Sequence, residues 1–199
     1  MEMIKFRDET PGRRKGRKVC ISYSSYRKTL KEDFKDRCGY CGSFDKIFKR
    51  SFAIDHFIPQ NPIGFTHALP PNDYYNLVYA CGYCNGAKTN KWPTKDVKKS
   101  NDGKVGFVDP TDPIYDTLFC RNSSGSIMLM KSTHLLSIYI YKEIDLCNPV
   151  HSILWKIEKI DSSINKLKKI GETSSDPQIK IDLGELALQY HNLVDELFA

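Results

Sequence analysis

The feature that most constrains this chain is a repeated cysteine turn. Residues 38–41 and residues 81–84 both read Cys-Gly-Tyr-Cys. This short spacing lets both sulfurs of a turn face one ion. Four thiolates from two such turns therefore make a closed tetrahedral zinc site, which is structural rather than catalytic. The segment between the turns, residues 42–80, is longer than in a usual zinc ribbon, so we expect it to be folded. The predicted zinc ligands are Cys38, Cys41, Cys81 and Cys84.

The other cysteines, Cys20, Cys120 and Cys147, stand alone in a chain that has seven in all. Residues 1–18 are polar and basic without the apolar middle of a secretory signal, and no stretch approaches the roughly 20 apolar residues of a membrane span. We therefore expect a cytoplasmic protein with no membrane contact, in which disulfides are disfavoured and paired cysteines indicate metal. The alternative interpretation of the turns is buried cysteines without metal.

Positive charge is concentrated in two segments of a chain whose formal net charge is +6. One is residues 13–18, and the other is a series of lysines between residues 88 and 104. Clustered cations bind the phosphates of a polyanion, although each segment alone is also typical of solvated surface. The predicted nucleic-acid contacts are Arg13, Arg14, Lys15, Arg17, Lys18, Lys91 and Lys95.

Composition and pattern divide the chain into three regions. Residues 1–29 form a basic N-terminal arm whose Gly and Pro content argues against a packed element, so we expect the arm to order only on DNA. Residues 30–130 carry both cysteine turns and end in a strand at 127–130. Residues 131–199 form a C-terminal helical region by their apolar spacing.

Two amphipathic helices are predicted in the C-terminal region. Apolar residues of the first follow spacings of 3, 4, 3, 4 and 3, at Val150, Ile153, Ile157, Ile160, Ile164 and Leu167. In the second helix, Asp176 is the predicted N-cap and Pro177 the first helical residue. Its apolar stripe is Ile179, Leu183, Leu186, Tyr190, Leu193 and Leu197. We expect an antiparallel helical hairpin, with a homodimer or partner interface as the alternative because the seam is longer than one hairpin needs.

The segment between the cysteine turns holds polar residues on apolar strands. Residues 52–59 read as an apolar strand interrupted by Asp55 and His56. Burial of such polar groups costs free energy unless they are paired, so their presence on an apolar strand indicates a specific role. A second short apolar strand, residues 76–80, leads into the second cysteine turn, which continues to Asn85 and Lys88. The predicted order is strand, loop, strand, helix.

This order of Asp-His, then Asn, then Cys-x-x-Cys-Asn-x-x-Lys resembles the HNH, or ββα-metal, nuclease family in its cysteine-flanked form. The resemblance covers about residues 37–91, roughly a quarter of the chain. It implies an α+β protein with a ββα-metal HNH core and a four-cysteine zinc site, to which the C-terminal helical hairpin is added. It also implies a metal-dependent endonuclease that hydrolyses DNA phosphodiester bonds.

The resemblance assigns a role to each polar residue of the motif. His56 would be the general base, since a neutral imidazole can accept a proton near neutral pH. Asp55 and Asn85 would supply oxygens to a catalytic Mg²⁺ or Mn²⁺ ion. Asn76 would brace the loop that follows His56, and Lys88 would reach the scissile phosphate. Taken one at a time, these residues are also typical of surface, turn or helix-cap positions.

Two further points concern the geometry of the first strand and the insertion that follows it. Neighbours on a regular strand point to opposite sides, so Asp55 and His56 can share a site only near the strand's end. The insertion at residues 60–75 contains His67, which we expect to be a loop residue rather than a ligand.

More loosely, the helix-like segment 26–34 and the segments 107–110 and 122–127 are similar to small HNH proteins encoded beside ATPases in bacterial antiphage systems such as Septu and some retrons. That likeness implies an ATPase partner docked on the C-terminal helices. The alternatives are a zinc-supported nucleic-acid-binding module without catalysis, or a stand-alone nuclease or toxin.

Overall fold

Short strands and helices alternate along the chain, in a computed structural model that describes residues 3–46, 51–174 and 176–198. In chain order the elements are β1 (Ile4–Lys5), α1 (Arg27–Asp33), β2 (Phe52–His56), β3 (Leu77–Cys81), α2 (Gly82–Lys88), α3 (Pro113–Thr117), β4 (Phe119–Arg121), β5 (Ile127–Leu129), α4 (Leu135–Glu143), α5 (Val150–Gly171) and α6 (Pro177–Phe198). The predicted α+β class is confirmed. No helix in these ranges combines the length and apolarity needed to cross a membrane.

A two-stranded antiparallel sheet carries the Asp-His pair. Strands β2 and β3 pair without a bulge, from Phe52 opposite Cys81 to His56 opposite Leu77. All five residues of β3 are buried, which fits its uninterrupted apolar sequence. Helix α2 begins directly after Cys81, so the predicted strand, loop, strand, helix order is present. The second strand begins at Leu77, one residue later than predicted, because Asn76 belongs to a 3-10 turn.

A second sheet, in the order β1-β4-β5, packs aromatic side chains beside the first cysteine turn. Phe6, Tyr115 and Phe119 form an aromatic cluster with ring centroids 5.3–6.1 Å apart. These three buried rings join the same apolar core as Leu30 and Phe34. One continuous core therefore supports both sheets.

The N-terminal arm is packed against this core, so the prediction that it orders only on DNA differs from what the structure shows. Arg7 is buried and donates hydrogen bonds to the carbonyls of Gly39 and Pro110. Arg13 donates from Nε to the carbonyl of Leu77 at 2.7 Å. The arm is anchored by hydrogen bonds from side chains to distant backbone, which a search for regular elements does not detect.

The C-terminal region forms the predicted helical hairpin, α5 against α6. The first half of α5 docks on the core through buried Ile153, Leu154 and Ile157. The ring of Trp155 lies against the turn at Gly125. Only glycine fits there, because the φ of +84° disfavours other residues and a Cβ would lie 2.4 Å from the ring. Beyond Ile157 the helix contacts the core less closely.

The second half of α5 and all of α6 form a two-helix arm, which we define as residues 160–171 together with α6. Within the described part of α6 no residue is fully buried, and its apolar stripe is half-buried against α5. Asp176 accepts a hydrogen bond from the backbone of Gln178, so the predicted N-cap is confirmed. The arm is therefore a hairpin with one shared seam and wide exposed faces.

Two seam residues should respond differently to the same substitution. We expect Ile157→Glu to lower the free energy of unfolding by about 3 kcal/mol or more, because it leaves a charge unpaired in the core. Ile164 is only half-buried, so Ile164→Glu should change it by about 1 kcal/mol. Urea unfolding of the two variants measures the difference. Equal losses would show that the whole seam, rather than its first half, docks on the core.

Candidate active site and metal centre

The four predicted zinc ligands come together in the structure. The sulfurs of Cys38, Cys41, Cys81 and Cys84 all lie within 4.8 Å of one another, and all four residues are buried. The first turn is fixed to the sheet because the Gly39 amide donates to the carbonyl of Tyr79 at 2.8 Å. Burial opposes charge on Cys41, but hydrogen bonds from the other three cysteines hold the pKa of its thiol well below the ordinary range. The cluster has the donor set of a structural zinc site.

Two nitrogen-bearing side chains lie against this cluster. The Arg121 guanidinium is buried and donates to the carbonyls of Phe6, Cys41 and Gly125. His151 places Nε2 4.0 Å from the sulfur of Cys84. A zinc ion with four thiolates carries net negative charge, and the Arg121 cation offsets part of it.

A polar pocket of about 290 Å³ opens at the end of β2. Its lining residues are Ile54, Asp55, His56, Pro59, Gln60, Asn61, Asn85, Thr89 and Asn90. Asp55 and His56 alternate on a regular strand, yet both reach this pocket because the strand ends at His56. The predicted ligand Asn85 joins them from α2. Sequence reasoning did not single out Gln60, Asn61, Thr89 or Asn90, since only the folded insertion and the turn after α2 bring them here.

Asp55 is held by two buried donors. The Tyr40 hydroxyl donates to its Oδ2, and the ammonium of Lys88 lies 3.0 Å from Oδ2 and 3.3 Å from Oδ1. Lys88 also donates to the backbone carbonyl of His56 at 2.9 Å. Burial lowers the pKa of Lys88, an effect that Asp55 opposes. Burial, and then the charge of Asp55, raise the pKa of Tyr40 well above its usual range, so the phenol stays a protonated donor.

Lys88 is wholly buried, which differs from the surface lysine that a phosphate contact calls for. Its ammonium faces Asp55 and the ring of Phe107, whose centroid is 5.9 Å away. A contact between Lys88 and the scissile phosphate stays a prediction.

His56 is oriented by the insertion. Its Nε2 lies 2.8 Å from the carbonyl oxygen of Pro71, and the amide of Gln60 is 3.1 Å from the same nitrogen. A carbonyl only accepts, so the contact with Pro71 requires the proton on Nε2 and leaves Nδ1 as the acceptor. The Gln60 amide must then turn its oxygen, rather than its nitrogen, toward this N–H. The ring of Tyr23 meets the imidazole edge to face at 4.9 Å. The ring is therefore fixed from three sides.

Asn76 braces the loop that follows His56. Its Oδ1 accepts from the Ile58 amide at 2.8 Å, and its Nδ2 donates to the Ile58 carbonyl at 2.9 Å. Its backbone carbonyl also accepts from the amide of Phe57. These three bonds set the path of the chain as it leaves β2. The geometry is the one that the bracing role requires.

The insertion is itself pinned to the pocket. The Ile63 amide donates to the carbonyl of Asn90 at 3.0 Å. His67 uses both ring nitrogens inside the loop, on the Pro59 carbonyl and the Leu69 amide. His67 is thus a loop residue, as expected, although it is half-buried rather than freely exposed.

Thr89 turns the chain at the end of α2 with φ +49° and ψ −135°. Such a backbone is rare for a β-branched residue and costs about 1–3 kcal/mol. The turn places Asn90 beside the pocket and beneath the insertion. Strain of this kind concentrates at functional sites.

The predicted nucleic-acid contacts fall into two groups. Exposed Lys15, Lys18 and Lys95 have no ion pair among the residues that the structure describes. The others have intramolecular partners: Arg13 pairs with Asp109, Arg14 with Glu32 and Asp33, Lys91 with Glu143, and Arg17 lies over the ring of Tyr26. Most of these partners are distant in sequence, so composition alone did not reveal them. DNA contact by either group stays a prediction.

A family model described as HNH endonuclease matches residues 38–91. The match begins at the first zinc-turn cysteine and extends three residues beyond Lys88, so it includes the whole pocket-bearing ββα unit. No curated protein and no solved structure matches the chain. Residues 38–91 thus carry an HNH endonuclease domain with a four-cysteine metal-binding cluster, which indicates a nuclease-type function.

Loss of one zinc ligand should unfold this domain. We expect Cys84→Ser to bind less than one zinc per chain and to melt well below the parent, because structural zinc contributes folding free energy directly. Cys147→Ser is the matched control, since Cys147 is exposed and outside the cluster. Zinc content and a thermal melt measure both variants. A Cys84→Ser protein with full zinc and an unchanged melt would rule out the four-cysteine site.

Proposed function

We propose that this protein is a metal-dependent HNH endonuclease that hydrolyses DNA phosphodiester bonds. One observation carries the proposal: Asp55, His56 and Asn85 line a single polar pocket inside the segment that matches the HNH family. A base and two oxygen ligands around one pocket can serve metal-assisted hydrolysis of a phosphodiester.

The donor set of the pocket suits a hard divalent cation. Among the described residues, Oδ1 of Asp55 accepts one hydrogen bond, from Lys88 at 3.3 Å, so it keeps a lone pair for an ion. Within the described ranges, the side-chain amide of Asn85 has no hydrogen-bond partner, although its residue lines the pocket. Two protein oxygens and a water-filled remainder fit Mg²⁺ or Mn²⁺. When bound, the ion would polarise the scissile phosphate and neutralise charge on the leaving 3′ oxygen.

His56 is the proposed general base. The Pro71 carbonyl accepts a hydrogen bond from Nε2–H of His56, so Nδ1 is the nitrogen that accepts a proton from the attacking water. Asn76 contributes indirectly, because its bonds to Phe57 and Ile58 fix the backbone next to the base. Gln60 faces the same imidazole and keeps the pocket polar.

DNA is the proposed substrate because the net charge of +6 favours a polyanion. Lys95 supports this role because its ammonium lies close to Gly64, in the insertion that lines the pocket. A Cβ built on Gly64 would lie 3.2 Å from its Nζ. Lys15 and Lys18 are exposed on the arm. Phosphate contacts by Arg13, Arg14, Arg17 and Lys91 would require these side chains to exchange their present partners.

The central test of the proposed function is plasmid nicking by the parent chain and His56→Ala with Mg²⁺. We expect His56→Ala to lose at least about 100-fold in rate, with zinc content and melt unchanged, because the base enters only the chemical step. Gln189→Ala, on the two-helix arm and outside the pocket, is the control for effects of mutagenesis and purification. Retained cutting by a folded His56→Ala protein would sink the assignment of the base.

We further propose that the nuclease acts in the cytoplasm in bacterial antiphage defence, with an ATPase partner or a second copy on the two-helix arm. The looser resemblance to HNH proteins encoded beside ATPases supports the defence role. The arm supports the interface: Ile181 and Leu188 of α6 are 55% and 61% exposed, one heptad apart on one face. Exposed aliphatic residues at such spacing are typical of helix partners.

The interface can be tested without disturbing the fold. We expect Ile181→Glu with Leu188→Glu to leave zinc content and melt unchanged, since both side chains are exposed, and to remove a self or ATPase contact. Light scattering of the chain alone and with a co-encoded ATPase measures the mass. Lys180→Gln is the control on the same helix. A parent that is monomeric in both conditions would refute the interface and leave a stand-alone nuclease.

A further inference from the structure

Tyr40 links the first cysteine turn to the active-site pocket. It lies between two zinc ligands, is fully buried, and donates its hydroxyl proton to Oδ2 of Asp55. The turn that carries it is fixed to β3 by the bond from Gly39 to Tyr79 and closed on itself by the bond from Cys38 to Ser43. The position of the hydroxyl is therefore set by the same backbone that sets the thiolates.

The second cysteine turn reaches the same carboxylate from the other side. Cys84 and Lys88 both lie on α2, one helical turn apart, and Lys88 contacts Asp55 and the His56 carbonyl. Asn85, the other proposed oxygen ligand, follows Cys84 directly. Both halves of the metal cluster thus place a donor on Asp55.

The two donors act unequally on the two carboxylate oxygens. Tyr40 bonds only Oδ2, and Lys88 is closer to Oδ2, at 3.0 Å, than to Oδ1, at 3.3 Å. Oδ2 thus carries the phenol bond and lies nearer to the cation, whereas Oδ1 accepts one bond within the described part of the chain, from Lys88, and keeps a lone pair for an ion. A carboxylate at the end of a two-stranded sheet would otherwise be free to rotate.

We propose that Tyr40 is a positioning residue through which the zinc site controls the catalytic metal site: its hydroxyl fixes the Asp55 carboxylate so that Oδ1 faces the ion. The inference rests on the proposed function, since it takes Asp55 as the ligand. Partners that orient a metal ligand in this way commonly contribute about 10–100-fold in metal affinity. A residue that only fills the core would affect stability and leave the affinity for the second metal unchanged.

The chain contains its own control. Tyr83 occupies the same place in the second turn as Tyr40 does in the first, but it is 39% exposed and makes no bond to Asp55. Tyr40→Phe and Tyr83→Phe therefore remove the same hydroxyl from equivalent positions. Only the first change removes a donor from the proposed ligand.

The test measures Mn²⁺ binding to the zinc-loaded full chain by electron paramagnetic resonance of the free ion. We expect Tyr40→Phe to keep its zinc and stay folded, with a lower melting temperature because the buried carboxylate loses one hydrogen bond, while the Kd for Mn²⁺ rises about 10-fold. Tyr83→Phe should match the parent throughout. In an Asp55→Asn background, Tyr40→Phe should have little further effect, because the hydroxyl acts through the carboxylate.

Each outcome decides the proposal. A Tyr40→Phe chain with full zinc and the parent's Mn²⁺ affinity would overturn it, and so would one that loses zinc or unfolds, because the role of the hydroxyl would then be structural. The proposed nuclease function fails separately. If Tyr40→Phe weakens Mn²⁺ binding but no protein nicks plasmid with either metal, the positioning role stands and catalysis does not.

Discussion

The four-thiolate cluster is the constraint on which the rest of the structure depends. It joins the turn before β2 to the turn after β3 and so closes the ββα unit on itself, in a segment with few regular elements of its own. Without a metal, four buried thiols would lie together in the apolar core with only weak hydrogen bonds to compensate for their loss of water. With zinc, binding free energy becomes folding free energy. Arg121 and Arg7 then fasten the first cysteine turn to the second sheet and to the N-terminal arm.

Burial of charge follows from this arrangement. Asp55 and Lys88 are removed from water together, which is tolerable because each is the other's partner and both make further hydrogen bonds. The result is a carboxylate held on both oxygens, Oδ2 by Tyr40 and Oδ1 by Lys88, in a residue that lines the pocket. On the opposite side, the insertion contributes a backbone carbonyl that orients His56. The zinc turns thus hold Asp55, and the insertion holds its neighbour His56.

Much of this could be predicted from the sequence, for local reasons. Cysteine spacing indicated the cluster, the apolar runs around Asp55 and Asn76 indicated the two strands, and the 3-4 spacing after Val150 indicated the hairpin. Contacts between distant residues could not be predicted. Arg13 looked like a DNA contact because Asp109 is far along the chain, and Lys88 looked exposed because nothing local shows that α2 turns it inward. The sequence shows Tyr40 between two zinc-turn cysteines, but the proposed role of its hydroxyl depends on Asp55, which lies on a strand that begins beyond the turn.

We propose above all that this zinc-held pocket cuts DNA. The most direct measurement is the end chemistry of supercoiled plasmid incubated with the purified zinc-loaded chain, in buffer with added Mg²⁺ and in the same buffer without it. Our expectation is that the plasmid is nicked only with Mg²⁺ and that the nicks bear 3′-hydroxyl and 5′-phosphate ends, which a DNA ligase reseals. Plasmid that is bound but stays supercoiled with Mg²⁺ and with Mn²⁺ would contradict it and leave a zinc-supported DNA-binding module.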